Sequence, residues 1–296
     1  MKSKIITMCV IVLLAVSLLT IGCAKEEEKG RIIGIDPGAG LMSAAEKALE
    51  DYNLDNMELV EGSDATMISA LNDAIKNEQW VVVTGWTPHF KFAKWDLKYL
   101  EDPKQSFGGE EQINTIVRTG LKEDMPDVYT FLDNFNWTLD DMQKIQVWNE
   151  EEGADFYDNA KRWVDENEDK VNEWIKGLEP NSGNGQEVEL VYVEWASEIA
   201  STNVVRAVLQ EKLGYDVELT SVGAAAMWQG VATGDVDGMV AAWLPATHGS
   251  YLEEVKDQVD DLGANLHGAR IGLVVPEYVT IDSIEELNEN AAKFKK

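Results

Sequence analysis

From Arg31 onward, short apolar runs alternate with segments whose apolar positions recur every three to four residues, the pattern of parallel βα units. Two such sets are predicted. In the first, strands at 32–35, 57–60 and 80–83 alternate with two helices. One helix, over 41–52, places Leu41, Ala45, Ala48, Leu49 and Tyr52 on one face. The other shows Met67, Leu71 and Ile75 and starts behind Ser63, whose hydroxyl can accept from an unpaired first-turn amide. In the second set, strands at 188–193, 217–222 and 236–242 alternate with a helix through Val204, Val205, Val208 and Leu209, stopped by Gly214, and a short helix around Met227 and Trp228, stopped by Gly234. Between the sets, 126–177 is expected to be helical, with Met142, Ile145, Trp148, Phe156, Trp163, Trp174 and Ile175 turned to a core. The stretch 177–187 is dense in turn formers and is predicted to be an exposed linker. Two further apolar strands, 113–117 and 271–275, belong to neither set and are expected to carry the chain between lobes. The predicted fold is α/β, a two-lobed clamshell in which each lobe is a mostly parallel sheet flanked by helices. Lobe A takes 31–113 plus 273–296, lobe B takes 119–270, and two crossings join them.

The first thirty residues stand apart. Met1-Lys2-Ser3-Lys4 precedes an apolar stretch from Ile5 to Ile21, then Gly22-Cys23-Ala24-Lys25-Glu26. A basic start, a short apolar middle and a small residue before cysteine predict a lipoprotein signal over 1–22, with Thr20 where leucine is commoner. The apolar run is short for a bilayer span. Cys23 becomes the lipidated first residue, and 23–30 is an acidic tether. Cys9 leaves with the signal, so no mature cysteine remains for a disulfide or a metal.

Charge narrows the function classes. The chain carries 54 acidic and 25 basic residues, a formal charge of -29; without Lys2 and Lys4 the basic count is 23 and the charge -31. Such a surface excludes nucleic acid as a partner.

Three runs of strand-forming residues end on tryptophan, at Trp86, Trp195 and Trp243. Open α/β sheets bind ligands beyond the carboxyl ends of their strands. Indole faces attract cations there without offering a salt bridge. Half-buried packing explains any one of them; their repetition at one strand position points to an aromatic cage. For an anion, Asp36-Pro37-Gly38-Ala39-Gly40-Leu41-Met42 joins a strand to a helix, and the first-turn amides of Gly40, Leu41 and Met42 suit a negative group. No Gly-Lys-Ser/Thr follows, and a bare tight turn fits the same letters. His248, five residues past Trp243, is placed to donate to a carboxylate, though a surface loop explains it equally. His89 is expected behind the same rim, and His267 in a loop.

The segments GIDPGAGLMS (34–43), VVTGWTPHFKFAKWDLKYLEDPKQSFG (82–108), VELVYVEWASEIASTNVV (188–205) and AAMWQGVATGDVDGMVAAWLPATHGSY (225–251) resemble the glycine betaine/proline betaine substrate-binding lipoproteins of ABC importers, over about 31–284. The resemblance implies a type II periplasmic-binding-protein-like fold that captures quaternary ammonium zwitterions for osmoprotection. It implies a cage of Trp86, Trp195 and Trp243, and a carboxylate held by the Gly40 and Leu41 amides with His248. It also implies a monomer without cofactor or catalysis, lipid-anchored at the extracytoplasmic face of the cell membrane, serving the membrane subunit and ATPase of an ABC importer. The order of the halves is that of the permuted branch, with Gly40, Leu41 and Trp86 on one lobe and Trp195, Trp243 and His248 on the other. Ala196 stands where aspartate often follows the cage tryptophan, and Phe90 replaces a frequent aromatic variant; neither removes an implied contact. Choline, carnitine or an ectoine are alternative solutes. A choline-ester hydrolase would want the same cage, but no Gly-x-Ser-x-Gly elbow is present.

Overall fold

The computed structural model describes residues 28–295; the predicted signal, Cys23 and most of the tether lie outside the described residues. Nine strands form the frame: β1 Gly30–Ile33, β2 Met57–Val60, β3 Val82–Thr87, β4 Leu97–Tyr99, β5 Glu111–Arg118, β6 Glu187–Tyr192, β7 Asp216–Ser221, β8 Gly238–Leu244 and β9 Val259–Pro276. Their order is β2-β1-β3-β9-β5-β8-β6-β7, with β4 also on β9. The β1–β2, β1–β3, β6–β7 and β6–β8 pairs are parallel, as βα units require. β9 is antiparallel to β5 through 259–269 and to β3 through 270–274. One 18-residue strand therefore belongs to both halves. The chain passes between the halves once in 100–110 and once along β9. Ile113 falls in β5, and Ile271 falls in the part of β9 that pairs with β3, opposite Trp86.

Helices follow from local chemistry. α1 (Gly40–Asp51) buries Leu41, Met42, Ala45 and Ala48. α2 (Asp64–Lys76) begins with a reciprocal cap: Ser63 accepts from the Thr66 amide, and the Thr66 hydroxyl accepts from Ser63 N–H at 2.8 Å. Between β5 and β6 lie α3 (Pro126–Asn134), α4 (Leu139–Asn149), α5 (Phe156–Glu166) and α6 (Glu168–Trp174). Their core is aromatic: Trp163 stacks on Trp174 at 5.7 Å, Phe135 meets Trp174 edge-on at 5.0 Å, and Trp137 meets Trp163 at 5.9 Å. Met142, Ile145, Trp148, Trp163 and Trp174 are buried here as the spacing predicts. Phe156 is not: it shares the face of Ala160 and Trp163 by spacing, but as the first residue of α5 it stands at the open end of that face and is 43% exposed. In the second βα set, α7 (Ala196–Glu211) follows β6 and α8 (Ala224–Thr233) follows β7, the latter ended by Gly234 at φ 75°. α9 (Gly249–Val255) comes after β8.

The strand expected at 271–275 begins twelve residues earlier, at Val259, and the third strand runs over Val82–Thr87 instead of 80–83. Apolar letters stop at Thr84-Gly85, but pairing continues, because Gly85 faces Gly272 across β9. Neither position has room for a side chain. A Cβ on Gly85 would lie 2.4 Å from Val274 Cγ2, and one on Gly272 would lie 2.9 Å from the Tyr99 ring. Gly85→Ala is therefore expected to cost about 1–3 kcal/mol by overpacking this shared strand, measured as a lower urea midpoint at unchanged m-value.

Candidate functional site

The three tryptophans reach one place by two routes. Trp86 lies within β3 and Trp243 within β8, near their carboxyl ends, whereas Trp195 stands three residues past β6 as the N-cap of α7. Equal strand position therefore holds for two of the three, and the third is set by a helix start. All three indoles are nearly buried and line a single pocket with Ile35, Ala39, Gly40, Leu41, Ser197, Thr247 and Ile271. That pocket sits between the halves, with β1, α1 and β3 on one side and α7 and β8 on the other. Its wall is almost wholly apolar.

The turn before α1 delivers two free donors. Met42 N–H donates to Ala39 O at 2.9 Å, contrary to the expectation that it is unpaired. The amides of Gly40 and Leu41 have no hydrogen-bond acceptor among the described residues, and both residues line the pocket. Gly40 must be glycine here, because a Cβ would lie 1.8 Å from Thr247 O across the gap.

His248 carries a third unpaired donor and stands beside the pocket, not among the residues that line it. Trp243 N–H donates to His248 Nδ1 at 3.1 Å, and His248 N–H donates back to Trp243 O at 2.8 Å. With Nδ1 accepting, the proton sits on Nε2, which is buried and has no partner among the described residues. Burial pushes the imidazole down to about 4, so it is neutral at physiological pH. Its ring stacks against Trp195 at 6.4 Å. Glu111 builds this loop by accepting from the amides of Ala246 and Thr247 at 2.9 and 2.7 Å and from the Thr247 hydroxyl. Nothing in the sequence marked Glu111, since its partners lie 135 residues away.

Behind Trp86 is a dry ionisable cluster. His89 packs edge-on against that indole at 4.5 Å, as its expected place behind the rim requires. Lys91 is wholly buried, its Nζ 4.1 Å from the Trp86 ring centroid and without an acceptor. Burial pulls Lys91 down to about 7 against the pull of Asp64. Burial, aided by Lys91, takes His89 down to about 4 against Asp64. For Asp64, burial raises the pKa, but His89, Lys91 and the Ala196 amide outweigh it and hold the carboxyl below its usual value. The arrangement that satisfies the hydrogen bonds is an ionised Asp64 beside a neutral His89. Lys91 N–H donates to His89 Nδ1 at 3.1 Å, leaving Nε2–H to donate to Asp64 at 3.2 Å.

Hydrogen bonds tie the halves together around the pocket. Trp195 Nε1–H donates to Asp36 at 2.8 Å, and Ala196 N–H donates to Asp64 at 3.1 Å. The Tyr251 hydroxyl donates to Gly38 O at 2.6 Å, and Phe90 N–H donates to the Gln146 side chain at 2.9 Å. Sequence reasoning missed Asp36, Asp64, Ser197 and Thr247 as site residues. Ser197 is the most telling of these, with a buried hydroxyl that lacks a partner in a residue lining the pocket. His267 lies in β9 and is exposed, not in a loop.

An aromatic-walled pocket held between two α/β halves that share one strand defines a solute-binding protein. The chain belongs to the family described as the substrate binding domain of ABC-type glycine betaine transport systems, matching over residues 19–166 and 186–296. It is 47% identical over 300 residues, covering 97% of this chain and 99% of the relative, to the glycine betaine/carnitine transport binding protein GbuC of Listeria monocytogenes serotype 1/2a (strain 10403S). Among solved structures, lactococcal OpuAC in its closed-liganded conformation with glycine betaine is 46% identical over 49% of this chain and 57% of its own, with a TM-score of 0.48. The glycine betaine, L-proline-binding protein ProX of Borrelia burgdorferi is 37% identical over 51% of this chain and 58% of its own, also at 0.48. The chain thus spans less than two thirds of either solved relative.

The buried groups fix a pH dependence of stability. His248 and His89 titrate near 6.5 unfolded and about 4 folded, so the unfolded chain binds more protons between those values and stability falls as pH drops from 6.5 to 4. Glu198, raised by burial to about 8 from 4.5, works the other way, losing stability as pH rises through that window. Two histidines outweigh one carboxyl between pH 4.5 and 6.5, so the net stability rises with pH there. His248→Gln is expected to flatten that rise by on the order of 3 kcal/mol at most, read from urea midpoints at pH 4.5, 5.5, 6.5 and 7.5.

Proposed function

We propose that the protein captures glycine betaine, proline betaine or a similar quaternary ammonium zwitterion between two closing lobes, 31–113 plus 273–296 and 119–270, and hands it unchanged to an ABC importer. The observation that carries the reading is the pairing of three indoles with an orphaned, buried His248 Nε2–H. A methylated ammonium is weakly hydrated, has no N–H to donate, and fits the faces of Trp86, Trp195 and Trp243. A carboxylate at the other end accepts from Gly40 N–H, Leu41 N–H and His248 Nε2–H. The neutral donor trio suits a zwitterion, whose charges cancel, better than a free anion or cation.

The magnitudes agree with capture and release. Three desolvated cation-π contacts contribute up to about 2 kcal/mol each, and hydrogen bonds to the carboxylate about 1.5–3 each. Association costs at least about 4 kcal/mol. The remainder, near 8 kcal/mol, corresponds to a dissociation constant around micromolar.

The cell biology in this reading follows from the N-terminus and the family. The protein works at the extracytoplasmic face, anchored through lipid on Cys23, as a monomer that meets the membrane subunit and ATPase of its importer. It has no catalytic role, and glycine betaine incubated with it is recovered unchanged. No helix among the described residues is long and apolar enough to cross a membrane.

Calorimetric titration tests the ligand. Wild type is expected to bind glycine betaine with a constant near micromolar and choline, which lacks the carboxylate, at least tenfold more weakly. Trp195→Ala should abolish measurable binding while leaving the far-ultraviolet circular dichroism unchanged; wild-type affinity in that variant would sink the cage. Competition with carnitine and ectoine ranks the alternative solutes.

Closure makes a separate demand on Gly40. Because a Cβ there would meet Thr247 O at 1.8 Å, Gly40→Ala is expected to hold the halves apart. Affinity should fall by more than about tenfold, with a radius of gyration in saturating glycine betaine that stays at the ligand-free value.

A further inference from the structure

We propose that Asp36 is a positioning residue for the pocket, acting through the Trp195 indole N–H, so that the third aromatic wall is fixed only when the two halves meet. The inference rests on the zwitterion-capture reading above and adds to it a residue that does not itself line the pocket.

The geometry is specific. Asp36 follows β1 in the first half and Trp195 follows β6 in the second, 159 residues apart in the chain. Their 2.8 Å hydrogen bond crosses the gap between the halves. One residue further on, the Ala196 amide at the N-terminus of the 16-residue α7 donates to Asp64, also on the first half. A helix start offers unpaired amides and a positive dipole end, so a carboxylate there anchors the backbone that carries the indole. Trp195 is thus held by its ring N–H and by its neighbour's main chain, both from the opposite side of the pocket.

The other tryptophans show that this bond is not a routine one. The indole N–H groups of Trp137, Trp163, Trp174 and Trp228 are buried and have no acceptor among the described residues. Trp195 is the one whose indole donates to a side chain among those residues. An indole at a helix start can rotate about χ1 and χ2, and a cation-π contact needs its face turned to the guest. The carboxylate selects that rotation.

A double-mutant cycle on the full mature chain tests the route. Glycine betaine affinity is measured by calorimetry for wild type, Asp36→Ala, Asp36→Asn, Trp195→Phe and the Asp36→Ala/Trp195→Phe pair. Phenylalanine keeps an aromatic face and lacks the ring N–H. Asp36→Ala is expected to weaken binding about tenfold or more in wild type and less than about twofold in the Trp195→Phe background. Asp36→Asn, which still accepts, should recover most of the loss. An equal loss in both backgrounds, or no loss in wild type, would overturn the proposal. If wild type takes up no glycine betaine, the ligand assignment fails and the positioning role is decided by nitrogen-15 NMR of the ligand-free protein. There the Trp195 indole N–H resonance should move in Asp36→Ala and hold near its place in Asp36→Asn; an unmoved resonance in Asp36→Ala overturns it.

Discussion

The architecture depends on β9, a single strand hydrogen-bonded to both half-sheets. Each parallel βα unit ends in an edge strand whose backbone N–H and C=O groups need a partner. β9 solves this by running antiparallel to β3 at one end and to β5 at the other. The result is two units, each with its strand ends directed at a common gap. The paired glycines Gly85 and Gly272 let this strand pack closely under Tyr99 and Val274. Ile271, one step along, already lines the pocket. Frame and site are thus continuous, and any shift of β9 moves the pocket floor.

Electrostatics divides into two regimes. The surface carries a large negative excess, which keeps the protein soluble and screens out polyanions. The residues that line the pocket carry no charge, and two of them, Gly40 and Leu41, present unpaired amides. Ionisable groups stand one layer back: Asp36 and Asp64 tie the halves, and the Lys91 amine lies over Trp86. This separation lets a zwitterion enter without displacing a resident salt bridge. It also explains why the buried groups titrate so far from their usual values, since the low dielectric that favours cation-π contacts penalises a lone imidazolium or ammonium.

Much of this was legible in the chain, for identifiable reasons. The βα alternation gave both sets of strands because parallel strands buried on two faces read as apolar runs. Ser63 announced the start of α2, and Gly234 the end of α8, through local hydrogen bonding and backbone conformation. Trp86, Trp243, Gly40 and Leu41 reach the pocket because each sits at a strand end or helix start, positions that sequence spacing encodes. The limits of β3 were misread because a Gly-Gly cross-strand contact carries no hydrophobic signal. Phe156 has the spacing of a core position, but α5 begins with it, and a residue at the first helical position has no preceding turn to cover it. Glu111, Asp36, Asp64 and Ser197 were invisible in a different way. Each matters through a partner or an enclosure supplied by a distant segment, and one sequence contains no record of that proximity.

The aromatic core of α3 to α6 has a consequence for optical work on this molecule. Of the ten tryptophans, those at 137, 163 and 174 pack on one another and are buried. None of them lines the pocket, so they add a background that a guest there does not touch. The three indoles that line the pocket are a minority of the ten, and of these Trp86 has the Lys91 amine 4.1 Å from its ring centroid. A guest in the pocket acts directly on three of ten emitters, so the colour of the difference spectrum, more than its amplitude, identifies which wall of the pocket has changed its surroundings.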